Sequence, residues 1–542
     1  MLLAGVAVLA ACAPWFNIPR DQADSAGMLA HLHAYFVDGD LLYDDEYARL
    51  GMSPLFAFVT SEGVVSNHWP AGAAWLQLPG YALGVSAARC LEALGVTRST
   101  SPVGVVVVLA CRAWACLVLC WLARAFALRV ATAAGVRLRV GVAVSAAFVL
   151  GTPLLYYAVE SPLRPHLWGA ACVMALVHVW MEPDIAADRP MARTLLLALL
   201  AGLAANVRPQ LAPLALLVVH DLWTRRARGP VARPLAVAAL GLAAWPLLHL
   251  RTQLWMYGGS LSDYASEVTV HLGHLLLSPH HGMLTWCPAL VVAFFAVGRA
   301  AWRRQRGAVL IAVLVVHQIW LDAGMRPIAA ESVLGTRTWA GGTGFAARKL
   351  VDVLPLLIPA VASLVSAGAR ARWGRPVLAA TGLLCIPTIL LHAAAFVAPD
   401  ATTGALIGSV DALVQVMQRP LSWAAWSTAA AQRQLPFSVT AVVSGVVTLP
   451  LLLAAWRVAV AMDRATPSVR VTLLCAALVG GAVASHAWLS VMQIRSDAAL
   501  VDDPKRIEAI KPGMNAAHRA TVAQIPAHHA RMREVLGEGA AP

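Results

Sequence analysis

Apolar residues run along this chain in long, nearly unbroken stretches, a pattern typical of helices that cross a lipid bilayer. Such a helix needs about 17–25 consecutive apolar residues, and about thirteen segments approach that length. The pattern therefore predicts an all-α polytopic membrane protein. The predicted spans are residues 1–16, 103–123, 140–158, 166–181, 193–207, 209–223, 234–250, 283–298, 307–325, 350–368, 376–397, 438–456 and 471–492.

Composition excludes the other broad classes of protein. Hydrophobic residues make up 59% of the 542-residue chain, charged residues only 13%, and the mean hydropathy is +0.68. A soluble domain carries about 25% charged residues, and a disordered chain is less apolar still. The nine cysteines lie mostly inside apolar stretches without a C-x-x-C pair, so we expect small core residues rather than a disulfide framework.

The net charge of +13 could suggest nucleic-acid binding, but its distribution indicates membrane topology instead. Six alternate connections carry 20 arginines against four acids, a net +16, while the rest of the chain carries a net −3. Because basic loops stay in the cytoplasm, these connections are predicted to be cytoplasmic and the N-terminus with them. They are residues 124–139, 182–193, 224–233, 299–306, 370–375 and 457–470.

The first outer loop, residues 17–102, is the most acidic part of the chain, with nine acids against four arginines. Its apolar stretch from Trp69 to Cys90 would invert every later loop if it crossed the membrane, so we predict a helix in the outer interface. Residues 1–492 form one transmembrane domain in this interpretation, and residues 493–542 form a polar tail on the outer side. Further outer loops lie near 251–282, 326–349 and 398–437.

Acids soon after the first predicted span are candidates for catalysis at the outer face. A carboxylate at Asp24, or at the neighbouring Asp21, can remove a proton from an acceptor hydroxyl. A solvated acidic loop explains the same residues, and so does a helix N-cap at Asp24.

Cations on the outer side are candidates for binding a phosphate. Arg164 and His166 lie in a short turn, Arg208 lies between two short helices, and Arg348 and Lys349 end a glycine-rich stretch. Ionisable groups at membrane depth are costly and often functional. Ordinary turn residues, a buried ion pair of Arg208, and pairing of Arg348 with Asp352 along a helix are the alternatives.

Aromatic and histidine residues near these charges are candidates for contacting a sugar or an acceptor. They are His68 and Trp69 beside Pro70, His281 in a paired-histidine segment, and Trp339 before the glycine run. Anchoring at the membrane interface explains Trp69 equally well. Adjacent histidines rarely suffice for a metal site, so no metal is predicted.

In order and spacing, these segments resemble the GT-C superfamily of membrane glycosyltransferases. The likeness is to the bacterial branch related to protein O-mannosyltransferases and aminoarabinose transferases. It begins with Asp24-Ser25 followed by Asp38-Gly39-Asp40, and it covers roughly the part of the chain before residue 370. The further matching segments are His68-Trp69-Pro70-Ala71-Gly72, His166, Arg208-Pro209, Ser278 to Met283, and Trp339 to Arg348.

The resemblance implies an inverting, metal-independent transfer without a cofactor. The donor would be a polyprenyl-phosphate monosaccharide entering from the membrane lipids, and the acceptor would be a hydroxyl of a glycan, lipid or protein. The reaction would take place at the outer, periplasmic face of a bacterial inner membrane. Asp24 would be the general base, and Arg208, Arg348 and Lys349, with His166 or His281, would stabilise the leaving phosphate.

Three other functions fit a polytopic membrane protein. A transporter or flippase of lipid-linked sugars should show a repeated half and intramembrane charges at matched positions, and the sequence has no repeat. An O-antigen ligase or polymerase should depend on a large late outer loop, whereas residues 398–437 hold few candidate groups. A scaffold would not require the polar segments to fall on one side.

Overall fold

The described part of the chain consists of helices and the turns between them, with one isolated antiparallel bridge between Val59 and Val65. This agrees with the predicted all-α polytopic membrane protein. The predicted spans 1–16 and 438–456 lie outside the described residues. The computed structural model describes residues 23–50, 59–60, 62–67, 69–93, 105–159, 161–182, 190–225, 232–257, 272–277, 282–324, 348–371, 374–397, 467–502 and 511–516.

Two kinds of element build the fold, α-helices and short π or 3₁₀ segments at their ends. The α-helices are α1 (Ala23–His33), α2 (Asp44–Leu50), α3 (Gly72–Ala93), α4 (Val105–Ala134), α5 (Leu138–Leu150), α6 (Leu154–Val159), α7 (Pro165–Trp180), α8 (Pro190–Val207), α9 (Ala215–Arg225), α10 (Ala232–Ala244), α11 (Pro246–Tyr257), α12 (Leu272–Leu277), α13 (Met283–Trp286), α14 (Leu290–Trp302), α15 (Ala308–Gly324), α16 (Ile358–Ala371), α17 (Gly374–Val397) and α18 (Pro467–Asp502). The other segments are a π segment at Ala34–Asp38 and 3₁₀ segments at Pro209–Leu214 and Arg348–Leu357.

Four helices in the described residues are long and apolar enough to cross a membrane, and a bent pair makes a fifth. The bent pair is α10 with α11, which meet at an angle of 44°. Proline explains the bend, because Pro246 has no N–H to donate to the preceding turn. The four spans are Val106–Ala134, Pro190–Val207, Leu350–Ala371 and Thr472–Leu500.

Helix ends differ from the predicted ones where polar residues continue a helix. The helix predicted at 103–123 continues through Arg124 and Arg129 to Ala134, so part of the predicted cytoplasmic loop is helical. The last helix likewise extends to Asp502, beyond the predicted start of the tail at 493. Arginine has a high helix propensity, so charge alone does not end a helix.

Helices α3 and α8, with the helices packed against them, position the polar side chains of the candidate active site. Helix α3, the predicted interfacial helix, packs along α4 and also touches α1, α7 and α8. Helix α7 packs against the 3₁₀ segment Arg348–Leu357. Helix α18 contacts the predicted first outer loop, where Trp488 donates to the Tyr35 carbonyl at 2.7 Å and Ser496 accepts from the Leu41 N–H at 2.8 Å.

Candidate active site

Two of the sequence-predicted residues, Asp24 and Trp69, are in direct contact. The indole Nε1 of Trp69 donates to Asp24 Oδ1 at 3.1 Å. Asp24 lies in the first turn of α1, where the helix dipole favours a negative charge. Its side chain is half-buried, whereas Trp69 is only 6% exposed. A partly accessible carboxylate is thus held in place by a buried ring.

Trp69 is fixed in turn by residues that the sequence did not single out. His31 Nε2 donates to the Trp69 carbonyl at 2.7 Å, and its Nδ1 accepts from the Tyr43 hydroxyl at 3.0 Å. Asn67 Nδ2 donates to the Gly27 carbonyl at 3.2 Å, which ties the turn before Trp69 to α1. Because a carbonyl only accepts, His31 carries its proton on Nε2. The signal available in the sequence was two histidines close to the acidic segment.

A second polar cluster brings three separate segments together. Arg208 Nη1 lies 2.7 Å from Asp352 Oδ2 and also contacts His166 Nδ1, while Arg208 Nη2 donates to Gln210 at 3.0 Å. Arginine can only donate, so His166 accepts on Nδ1 and is neutral. The 3.7 Å contact between His166 Nδ1 and Asp352 Oδ1 is therefore not an ion pair. Arg208 therefore forms an ion pair with the buried Asp352, which is one of the two alternatives that the sequence leaves open for it.

The two clusters lie on either side of one close backbone contact. A Cβ on Gly72, at the start of α3, would lie 2.5 Å from the carbonyl carbon of Asn206 and 2.6 Å from Val207 N. Only glycine fits there without moving backbone. Gly72 follows Trp69 by three residues, and Asn206 precedes Arg208 by two, so the turn that holds Asp24 abuts the segment that holds Arg208.

Arg164 occupies the N-cap position of α7 and is almost completely buried, at 3% exposure. Gln77 of α3 donates to the Leu163 carbonyl at 2.9 Å, and Trp168 donates to the Pro162 carbonyl at 3.0 Å, so this turn is rigid. Within the described residues, Arg164 Nε and Nη1 have no hydrogen-bond partner. Buried guanidinium nitrogens that lack a partner favour an anion as their ligand.

The remaining predicted site residues cannot be placed. Asp21, His68, His281 and Trp339 lie outside the described residues. The backbone of Arg348 and Lys349 opens the 3₁₀ segment, but their side chains are not described. The structure thus brings together Asp24 with Trp69, and Arg208 with His166.

One group of side chains in the predicted first outer loop has the composition of a metal site. His33, Asp38 and Glu46 present ligand atoms that all lie within 4.8 Å of one another. Burial raises the pKa of Glu46 to about 11, and the nearby carboxylates of Asp45 and Asp38 add to this rise. Without a cation, Glu46 is therefore protonated at neutral pH.

Comparison with known proteins adds one structural likeness. The sequence matches no protein-family model and no curated protein. The fold is similar to the crystal structure of ArnT from Cupriavidus metallidurans bound to undecaprenyl phosphate, with a TM-score of 0.41 and 14% identity over 93% of this chain and 79% of that one. At this identity and TM-score the likeness assigns no function, so function must be argued from the side chains.

Proposed function

We propose that this membrane protein is a GT-C-type glycosyltransferase. It moves a monosaccharide from a polyprenyl-phosphate donor to a hydroxyl acceptor at the outer face of a bacterial inner membrane. The observation that carries the proposal is the buried Arg164 guanidinium, whose Nε and Nη1 have no described partner. A phosphate would satisfy these nitrogens, and the first turn of α7 supplies further N–H donors beside them.

Helix α3 connects this anion site with the predicted base. Gly72 at its start lies against Asn206, next to the turn that holds Asp24. Gln77, five residues further on, holds the turn before Arg164. Five residues of α-helix rise by about 7.5 Å, so both groups lie along the first one and a half turns of α3.

The proposed reaction needs one base and one phosphate site. Asp24 takes the proton of the acceptor hydroxyl, whose oxygen attacks the anomeric carbon from the face opposite the phosphate. The bond to the donor oxygen breaks, its electron pair leaves with polyprenyl phosphate, and the sugar configuration inverts. Arg164 stabilises the leaving group, with Arg348 and Lys349 as further candidates. We propose no metal or cofactor in this chemistry.

Arg208 and His166 take a different role in this proposal from the one predicted. Because Asp352 already balances the charge of Arg208, the pair is nearly neutral toward an incoming phosphate. Arg208 and His166 are therefore proposed as positioning residues that join α7, α8 and the 3₁₀ segment Arg348–Leu357. Arg164 replaces Arg208 as the principal phosphate ligand.

A transporter of lipid-linked sugars is the second candidate, because the α10–α11 pair is bent and transporters bind substrates at broken helices. The arginine on this bent pair is already hydrogen-bonded to another helix. Arg251 of α11 donates to Ser490 at 3.0 Å and to Gln493 at 2.8 Å in α18. These hydrogen bonds connect α11 to α18, which favours a structural role for Arg251.

Donor profiling tests the proposal. Membranes containing the full chain are incubated with a panel of radiolabelled polyprenyl-phosphate sugars, and transfer of label to an endogenous acceptor is measured. We expect transfer from at least one donor, abolished by Asp24→Asn without loss of expression or folding. Full activity of Asp24→Asn with loss in Asp21→Asn would move the base to Asp21. Movement of label across the membrane without any transfer would instead favour the transporter.

A further inference from the structure

His33, Asp38 and Glu46 converge on one point of the first outer loop. Their ligand atoms all lie within 4.8 Å of one another, and His33 Nε2 is 3.4 Å from Asp38 Oδ2. In a tetrahedral zinc site with bonds of about 2.0–2.2 Å, neighbouring ligand atoms are about 3.4 Å apart. We propose that these three side chains bind a divalent transition-metal ion that holds the first outer loop together.

The backbone between His33 and Asp38 is shaped for this arrangement. Residues Ala34–Asp38 form a π segment, in which hydrogen bonds join residues five apart, and such segments are frequent at functional sites. His33 and Asp38 are themselves five residues apart, so the widened turn brings their side chains to one face. Gly39 ends the segment with a φ of +73°, a left-handed conformation that favours glycine.

Glu46 supplies the observation that points to a ligand. The residue is 1% exposed, and neither carboxylate oxygen has a hydrogen-bond partner in the described part of the chain. Two of the ionisable groups beside it, Asp38 and Asp45, are themselves acids. A buried carboxylate of this kind requires a cation or a proton. A metal ion bound to Asp38 and Glu46 would neutralise both carboxylates at once.

The histidine is oriented as a ligand. His33 Nδ1 lies 2.9 Å from the Tyr81 hydroxyl on α3. When Nδ1 carries the proton and donates to that hydroxyl, the lone pair of Nε2 faces the two carboxylates. Metal-binding histidines almost always make such a bond with their other ring nitrogen. The site would then link the end of α1, the start of α2 and, through Tyr81, helix α3.

The ligand set favours zinc among common cations. An imidazole nitrogen suits zinc and other transition metals, whereas calcium and magnesium prefer oxygen ligands alone. Three protein ligands leave one position for water. We assign the ion a structural role, so this inference does not depend on the proposed sugar transfer.

Metal content provides the test. Purified full-length protein in detergent is stripped with a chelator, dialysed against limiting zinc, and measured by mass spectrometry. We expect one zinc per chain and at least tenfold weaker binding in Glu46→Gln and in Asp38→Asn. Asp44→Asn, which removes a half-buried acid from the same turn of α2, is the matched control and should bind as wild type.

Thermal unfolding separates a metal site from a merely buried acid. Zinc should raise the Tm of the wild type and of Asp44→Asn, because it binds the folded state, and should leave Glu46→Gln unchanged. The proposal is overturned if the wild type takes up no zinc, if Glu46→Gln binds zinc as tightly, or if calcium binds in its place. The transfer assay tests Asp24, whereas the zinc measurements test His33, Asp38 and Glu46. A failure to bind zinc would therefore overturn the metal site and leave the glycosyltransferase proposal standing.

Discussion

The Arg208 guanidinium and the Asp352 carboxylate form an ion pair with an N–O distance of 2.7 Å, and Asp352 is fully buried. The pair connects the end of α8 to the 3₁₀ segment Arg348–Leu357. Gly169 of α7 makes room for it, because a Cβ there would lie 2.7 Å from Asp352 Oδ1. The pair therefore joins three elements at a single point.

Removing one partner of this pair should destabilise the protein strongly. Asp352→Asn leaves the Arg208 charge without its counter-ion, and breaking a buried pair in this way costs about 3–5 kcal/mol. We expect a clear drop in Tm for Asp352→Asn and for Arg208→Gln, measured by thermal unfolding in detergent.

The double variant provides the control for this prediction. With both charges gone, Arg208→Gln combined with Asp352→Asn should recover part of the lost Tm, since no charge is left unpaired. If the Tm of the double variant fell by the sum of the two single-variant losses, the two residues would not interact.

The apolar pattern predicts an all-α membrane protein, but not where each helix breaks or which groups pair with the charges. Long apolar runs predict membrane-spanning helices because a bilayer requires them in any context. Of about thirteen predicted spans, four helices and one bent pair in the described residues are long and apolar enough to cross a membrane. The sequence marks Arg208 as an unusual charge and offers Arg348, four residues before Asp352, as a partner for that acid. In the structure Asp352 pairs instead with Arg208, which is distant in the chain. Long-range pairs follow from helix packing, which no local pattern encodes.

For the same reason, the sequence of the first outer loop indicates its charged residues but not the residues that hold them in place. Its acids make Asp24 a candidate base, since charge is visible in the sequence. The residues that hold it, His31 and Asn67, act through backbone carbonyls of Trp69 and Gly27, and such bonds leave no compositional signal. Three of the predicted contacts, His68, His281 and Trp339, stay predictions because they lie outside the described residues.

Arg164→Gln should weaken donor binding while leaving the fold intact. Hydrogen bonds to charged groups contribute about 1.5–3 kcal/mol, so we expect the KM for the polyprenyl-phosphate donor to rise roughly 10–100-fold. The Tm should change little, because Nε and Nη1 have no described protein partner to lose. The measurements are initial rates at varied donor concentration and thermal unfolding.

An exposed arginine is the matched control for Arg164. Arg137→Gln removes the same charge at the N-cap of α5 and should leave the KM unchanged. A lower Tm with an unchanged KM in Arg164→Gln would make the residue purely structural.

Gly72→Ala should separate the first outer loop from α8. The added methyl would stand 2.5 Å from the Asn206 carbonyl carbon, and backbone cannot move aside as a flexible side chain can. Overpacking of this kind costs about 1–3 kcal/mol, and we expect a lower Tm together with reduced transfer.

A glycine in open space is the control for Gly72. A Cβ on Gly298 in α14 would meet nothing within 4 Å, so Gly298→Ala should keep both Tm and activity. Alanine is the better helix former by about 1 kcal/mol, so a slight stabilisation is expected there. Equal effects of the two substitutions would mean that the contact at Asn206 is not restrictive.

Trp69→Phe tests whether the indole N–H orients the base. Phenylalanine keeps a buried ring but cannot donate to Asp24, so only the 3.1 Å hydrogen bond is lost. A hydrogen bond to a charged group contributes about 1.5–3 kcal/mol, which predicts a fall in kcat of roughly 10–100-fold with little change in donor KM. Rates are measured with the donor that the panel identifies. A kcat equal to wild type would show that Asp24 is oriented without Trp69, whereas a rise in KM alone would place Trp69 at the sugar instead.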